Sequence, residues 1–352
     1  MNKNNIIIIV AVILILIAFA AFGSNTTVQI IMLLVALLAL LYTRRSTMYF
    51  ARANKAYTAK KGDYIQLYNK AVRAGLAYKY MVIAGTILIK EGAVEDGKNA
   101  LCRIINDRHF KDDKIISQAR IALSMGYYQE KDYSKAAEIC EEVMKSDYRD
   151  KNLYINLSTY LLALGRLDDF YILVDDFSSK SKLSTPALAD LQVTRCILQG
   201  DFIKAYQMLV YFMKQYTFNF ADPYVHFAQV YMHYGEAEKA VEVLKECLAK
   251  VLFEPIYIIP KEVIRQLIEE LSDPDRAPAL MAANNADPLA LINGHMPQPY
   301  SGEIIFASFS EVEEAEKQEE IEKRRQKSLI ERDHSTDLTD EDEQWLKRHQ
   351  DS

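Results

Sequence analysis

The chain has 352 residues, half of them apolar, and a formal net charge of -6. That length and composition describe a globular chain with material for two or three domains. Charge is segregated, with seven Lys and Arg and no acid in residues 1–61 but sixteen acids against eight bases in 301–352, so the net value identifies no partner. Cys102, Cys140, Cys196 and Cys247 lie far apart, with no CxxC and no Cys/His spacing suited to zinc, and they read as reduced core thiols in a cytosolic setting.

No charged residue occurs between Lys3 and Arg44. One helix of that length would run about 60 Å, roughly twice the hydrocarbon thickness of a bilayer. The polar turn Gly23-Ser24-Asn25-Thr26-Thr27 divides the run, which predicts a transmembrane helical hairpin over residues 1–45 with spans of about 6–22 and 26–42. The excess of Lys and Arg beyond the second span places Arg44, Arg45, Arg52 and Lys55 inside, with Lys3 on the same side. Arg44 and Arg45 then fix topology and touch anionic headgroups. The expectation is a two-span protein of the bacterial cell membrane with both termini cytoplasmic. A cleaved signal peptide ending near AFAAFGS is the competing reading, weakened by its single Lys and by the second span that follows at once.

From Met48 the chain repeats. KGDYIQL, EGAVEDG, EKDYSKAA, LGRLDDF, QGDFIKA and YGEAEKA each hold a break followed by an amphipathic helix start. Aligning Gly62, Gly92, Lys131, Gly165, Gly200 and Gly235 gives spacings of 30, 39, 34, 35 and 35. Within one unit, Tyr154, Leu157, Ser158 and Leu161 share a helical face before Gly165, and Leu167, Phe170, Val174 and Phe177 share a face after it. Each unit is therefore a pair of antiparallel helices. Small residues such as Ala136, Ala205 and Ala240 begin the second helix and permit close approach of the first.

In YVHFAQVYMHYG…AEKAVEVLKECLAK and DYSKAAEICEEV the chain resembles the tetratricopeptide repeat (TPR) superfamily, whose period is about 34 residues. Six units cover roughly 48–253, the first two departing from the pattern with Leu67 and Gly97 where Ala is usual. The resemblance implies an all-α, right-handed solenoid of about six helix pairs that buries a core only by stacking. Beyond it, 254–275 reads as a capping helix begun at Pro260, 276–309 as an irregular segment, and 310–352 as a charged helix opened by Ser310-Glu311-Val312-Glu313 and a partly disordered acidic tail.

No phosphate loop, dinucleotide fingerprint, HExxH, GxSxG or CxxC pair is present. His226 and His233, seven apart, lack a carboxylate or thiol at matching spacing, and Asp168-Asp169 and Asp175-Asp176 read as solvated faces of a second helix. No catalytic residue, metal site or cofactor is expected, and nucleic acid is an unsuited partner for a chain that is acidic beyond residue 61.

Carried over from the TPR resemblance, the peptide-groove positions are Arg52, Lys60, Lys79 and Lys90, then Gln118, Met125, Tyr128, Gln129, Asn152 and Thr159, then Asp190, Thr194, Asp222, Gln229, Met232 and His233. Family members that grip acidic chaperone tails need Lys and Asn one turn apart. The corresponding pairs here, Arg52 with Ala56, Val82 with Thr86 and Ile121 with Met125, do not fit. The expected function is a membrane-anchored cytosolic scaffold that binds other proteins or peptides at the inner face. An accessory or regulatory subunit of a membrane enzyme or envelope-assembly complex is the alternative.

Overall fold

A computed structural model describes residues 26–179, 185–251 and 258–312, with 13, 17, 314, 317, 318, 321, 323 and 324. Among these residues there are helices and no strand, and the chain divides into two compact units, Met1–Gly165 and Arg166–Ser352. The first unit holds α1 (Thr26–Thr58), α2 (Tyr64–Arg73), α3 (Tyr78–Lys90), α4 (Val94–Ile105), α5 (Asp113–Gln129), α6 (Tyr133–Met144) and α7 (Lys151–Ala163). Consecutive helices pack together, and in addition α3 packs on α5 and α5 on α7, so that first helices stack on first helices. The second unit holds α8 (Leu167–Ser179), α9 (Pro186–Leu198), α10 (Phe202–Gln215), α11 (Asp222–His233), α12 (Ala237–Lys250), α13 (Lys261–Leu271), α14 (Ala277–Ala286) and α15 (Pro288–Ile292). There α9 packs on α11 in the same way.

The turns follow from local chemistry. Gly62, Gly92, Lys131, Gly165, Gly200 and Gly235, the six break residues, all have positive φ between 64° and 83°. A residue in that conformation lets the next amide turn back onto the helix it leaves, as Asp132 N does to Tyr127 O and Asp201 N to Cys196 O, both at 2.9 Å. The same Asp132 and Asp201 cap the following helix, their carboxylates accepting from Lys135 N at 3.0 Å and Lys204 N at 3.2 Å. One dipeptide thus ends one helix and starts the next.

Helix pairing depends on the small residues: Ala136, Ala205 and Ala240 are 0% exposed. Gly97 takes that place in α4, where a Cβ would lie 2.7 Å from Gly85 O of α3. Tyr68, Leu88, Leu101 and Ile104 fill the core of the first unit, and Ala228, Leu244, Cys247, Ile264 and Leu267 that of the second. Ile264 and Leu267 bring α13 onto α12.

Two expectations are corrected here. Residues 276–309 are not irregular throughout, because α14 and α15 form within them and pack on α11. The two-span membrane localisation is also overturned, since among the described residues no helix is long and apolar enough to cross a membrane. The first expected span, 6–22, lies outside the described residues except for Ile13 and Ile17. The second does not end at Tyr42. It is the first half of α1, a 33-residue helix that continues unbroken through Arg44 and Arg45, and its second half packs on α2 through buried Phe50 and Ala53. The charged helix and tail over 310–352 fall mostly outside the described residues, with Ser310, Glu311 and Val312 helical.

Candidate functional site

In the first unit the groove positions are open to solvent. Arg52, Lys79 and Asn152 are exposed, and Lys90, Gln118, Met125, Tyr128, Gln129 and Thr159 are half-buried. Lys60 is exposed in the α1–α2 turn and donates to Glu91 Oε1 at 3.0 Å, while Tyr64 donates to Glu91 Oε2 at 2.7 Å. Glu91 is held below the usual carboxylate range: its burial pushes upward, but the bonds from Tyr64 and Lys60 outweigh it. Arg44 is exposed, and Arg45 folds back with its guanidinium 3.6 Å from the Tyr42 ring centroid and a bond to Tyr42 O.

The face of α5 and α7 rests on a buried polar network. Tyr128 stacks on Tyr160 at 5.2 Å, and the Tyr160 hydroxyl bonds Ser124 Oγ at 3.0 Å, which Cys140 Sγ also reaches at 3.2 Å. Burial pushes the Cys140 thiol up to about 12, so it is no nucleophile. At the ends of α2 to α4 lies an open cavity of about 940 Å³ lined by Val72, Leu76, Met81 and Ile115 together with Arg73 and Arg103.

In the second unit the corresponding face is covered. Asp190 is 4% exposed, Thr194 2%, and Gln229 and Met232 0%. α14 and α15 lie over α11, and Gln229 Nε2 donates to Asn284 Oδ1 and to Pro288 O, each at 2.9 Å. His226 Nδ1 pairs with Asp190 Oδ1 at 2.9 Å, both buried. Burial alone would lower the His226 pKa, but the charge and hydrogen bond of Asp190, with the charge of Asp222, raise it. Asp222 is pushed up to about 6 by burial and then by the Asp190 charge. His233 stacks face to face on Phe202 with centroids 3.7 Å apart, and burial lowers its pKa. Gln229 Oε1 and Asn284 Nδ2 are buried without a hydrogen-bond partner, leaving this polar seam incompletely satisfied.

Sequence reasoning missed the carboxylate partner of His226. The signal was available: Asp190 precedes His226 by 36 residues, one more than the local repeat spacing of 35, so the two fall at neighbouring places on stacked first helices. Asp168 and Asp169 are exposed as expected of a solvated face, and Asp175 pairs with Arg195. Among the described residues no group of three or more His, Cys, Asp and Glu could hold a metal ion.

No protein-family model matches the chain. No curated protein matches it either. Among solved structures it is similar to a tetratricopeptide repeat protein from Parabacteroides merdae ATCC 43184, with a TM-score of 0.52 and 13% identity over 77% of this chain and 99% of that one. The fold is TPR-like. A second match, the pentatricopeptide repeat protein PPR10 in complex with an 18-nt psaJ RNA element, has a TM-score of 0.34 and 15% identity over 79% of this chain and 40% of that one, a likeness too slight to argue from.

Proposed function

We propose that the protein is a TPR-like scaffold that binds an extended segment of a partner protein along the first-helix face of its first unit. One observation carries this: α3, α5 and α7 stack on one another and leave Gln118, Met125, Tyr128 and Gln129 of α5 partly open, with hydrogen-bonding and aromatic groups side by side. Such a face suits a peptide backbone and alternate side chains better than a reacting small molecule. The absence of a catalytic pattern in the sequence supports a binding role over an enzymatic one.

The test is a photo-crosslinking amino acid placed at Met125, and separately at Glu138 on the exposed side of α6, in living cells. One partner is expected to crosslink from position 125 and to disappear in a Tyr128→Ala, Gln129→Ala background. Equal capture of the same species from position 138 would refute the assignment of the face.

A further inference from the structure

In the second unit, residues 298–305 form an arm that is exposed at every position, with Ile305 70% accessible. The chain then returns through Phe306, Phe309 and Val312, three residues apart, and Val312 is fully buried. Phe309 enters a clasp of aromatic rings. Its centroid lies 5.7 Å from Tyr206 of α10, edge to face, 6.0 Å from Tyr231 of α11, and 5.6 Å from Tyr234. Lys239 Nζ of α12 stands 3.9 Å from the same ring centroid. Phe306 lies over Gly235, where an added Cβ would come within 3.3 Å of its ring. Edge-to-face rings and an ammonium over a ring face are the geometry by which an aromatic side chain is recognised. Residues 296–307 form no helix or strand and 310–312 begin a helical turn, so side chains rather than a backbone ladder dock this segment.

We propose that the clasp of Tyr206, Tyr231, Tyr234 and Lys239 is a docking site for a partner protein's segment of the pattern Phe-x-x-Phe-x-x-aliphatic that closes into a helical turn at its second Phe, and that Phe306 to Val312 is its occupant in cis. The site lies on the second unit and stands whether or not the α5–α7 face binds a peptide. What selects the ligand is the chemistry of the clasp: a ring for the Tyr206, Tyr231 and Tyr234 cage, a second ring for the bare backbone at Gly235, and an aliphatic group three residues further on. The exposed arm is the tether. A short flexible tether holds its occupant at an effective concentration of millimolar order, so a partner segment of equal intrinsic fit succeeds only at high local concentration or after the arm is cut.

The test uses the full chain with a protease recognition sequence inserted between Ser301 and Gly302, inside the exposed arm, so that the clasp itself is unaltered. A labelled peptide of residues 303–314 serves as the probe. The cut protein is expected to bind it about tenfold more tightly than the uncut protein, because the competitor is no longer tethered. The same peptide carrying Phe306→Ala and Phe309→Ala is expected to bind the cut protein about tenfold more weakly than the parent peptide. Equal binding by cut and uncut protein, no binding by either up to about millimolar peptide, or indifference to the two substitutions would overturn the proposal. Concentration-dependent dimers that exchange the C-terminal segment between copies would also overturn it, and would assign the clasp to a second copy of this chain.

Discussion

Gly97→Ala is expected to destabilise the first unit even though alanine is the better helix former. In an ordinary helix interior the change gains about 1 kcal/mol. Here the new Cβ would lie 2.6 Å from Ile89 Cγ1, 2.7 Å from Gly85 O and 3.0 Å from Ile89 N, where carbon contacts normally settle at about 3.5 to 4 Å. Two of those three atoms are α3 backbone, so relief requires α3 and α4 to separate rather than a side chain to swing. Separation loosens Leu88, Leu101 and Ile104, all fully buried at that crossing. Overpacking of this kind costs about 3 kcal/mol at the upper end of its range, which leaves a net loss of about 2 kcal/mol after the propensity gain. Gly126→Ala is the control, because its nearest neighbours, Lys98 Cγ at 2.8 Å and Cδ at 3.1 Å, belong to a side chain rather than to backbone, and shifting Lys98, which pairs with Glu130, offsets the same propensity gain. It should be neutral within about 0.5 kcal/mol. Native-state hydrogen exchange of α3 and α4 amides is the assay, since a two-unit chain has no single unfolding free energy. Gly97→Ala should speed exchange there about thirtyfold. Unchanged or slower exchange, or an equal effect of Gly126→Ala, would refute the close-crossing argument.

Three further outcomes are expected. Lys131→Gly, at the one aligned break that is not glycine and has φ of 64°, should raise the stability of the α5–α6 hairpin by about 1 kcal/mol, read as slower hydrogen exchange of α5 and α6 amides; faster exchange would contradict left-handed strain at that turn. Tyr160→Phe removes the hydroxyl that bonds Ser124 Oγ, the atom Cys140 also reaches, and should cost about 1 to 2 kcal/mol, read as weaker exchange protection in α5 and α7. Raising pH from about 5 to 8 should lower protection in α9 and α11. His226 has a folded pKa above its ordinary value, so its contribution is whole below about 6.5 and is lost as pH rises through the folded pKa. Asp222, raised to about 6, acts in the same sense, its penalty growing as pH climbs from its ordinary value past about 6. His226→Gln should flatten the upper part of this profile, and protection that rises with pH in the parent protein would reverse the sign argued here.

The helix pairs were legible because each is written in local chemistry. Break residues aligned from sequence all adopt positive φ, and Ala136, Ala205 and Ala240 are buried where the repeat needs small side chains. Gly97 read as a departure from the pattern, yet backbone contact between α3 and α4 makes it a stronger form of the same requirement. The cover over the second unit was not legible. α14, with the sequence APALMAANNA, has no apolar stripe of helical period, because its burial against α11 and α13 is shared among alanines and asparagines. Groove positions such as Thr194 and Met232 are thus closed by a segment whose composition resembled a loop. At the other end, hydropathy registered the apolar first half of α1 but carried no information that the helix continues through Arg44 and Arg45 into the repeats.

The turns between paired helices close between residues a few positions apart, whereas the clasp joins Tyr206 and Tyr231 to Phe309. During synthesis the hairpins can therefore form as they emerge, but the clasp cannot fill until about 60 further residues beyond α12 have been added. At ribosomal speeds of about 5 to 20 residues per second, that gap lasts some 3 to 12 seconds. For that interval every nascent copy presents an open aromatic clasp, which gives a partner carrying the matching segment a chance to bind before the chain's own competitor exists.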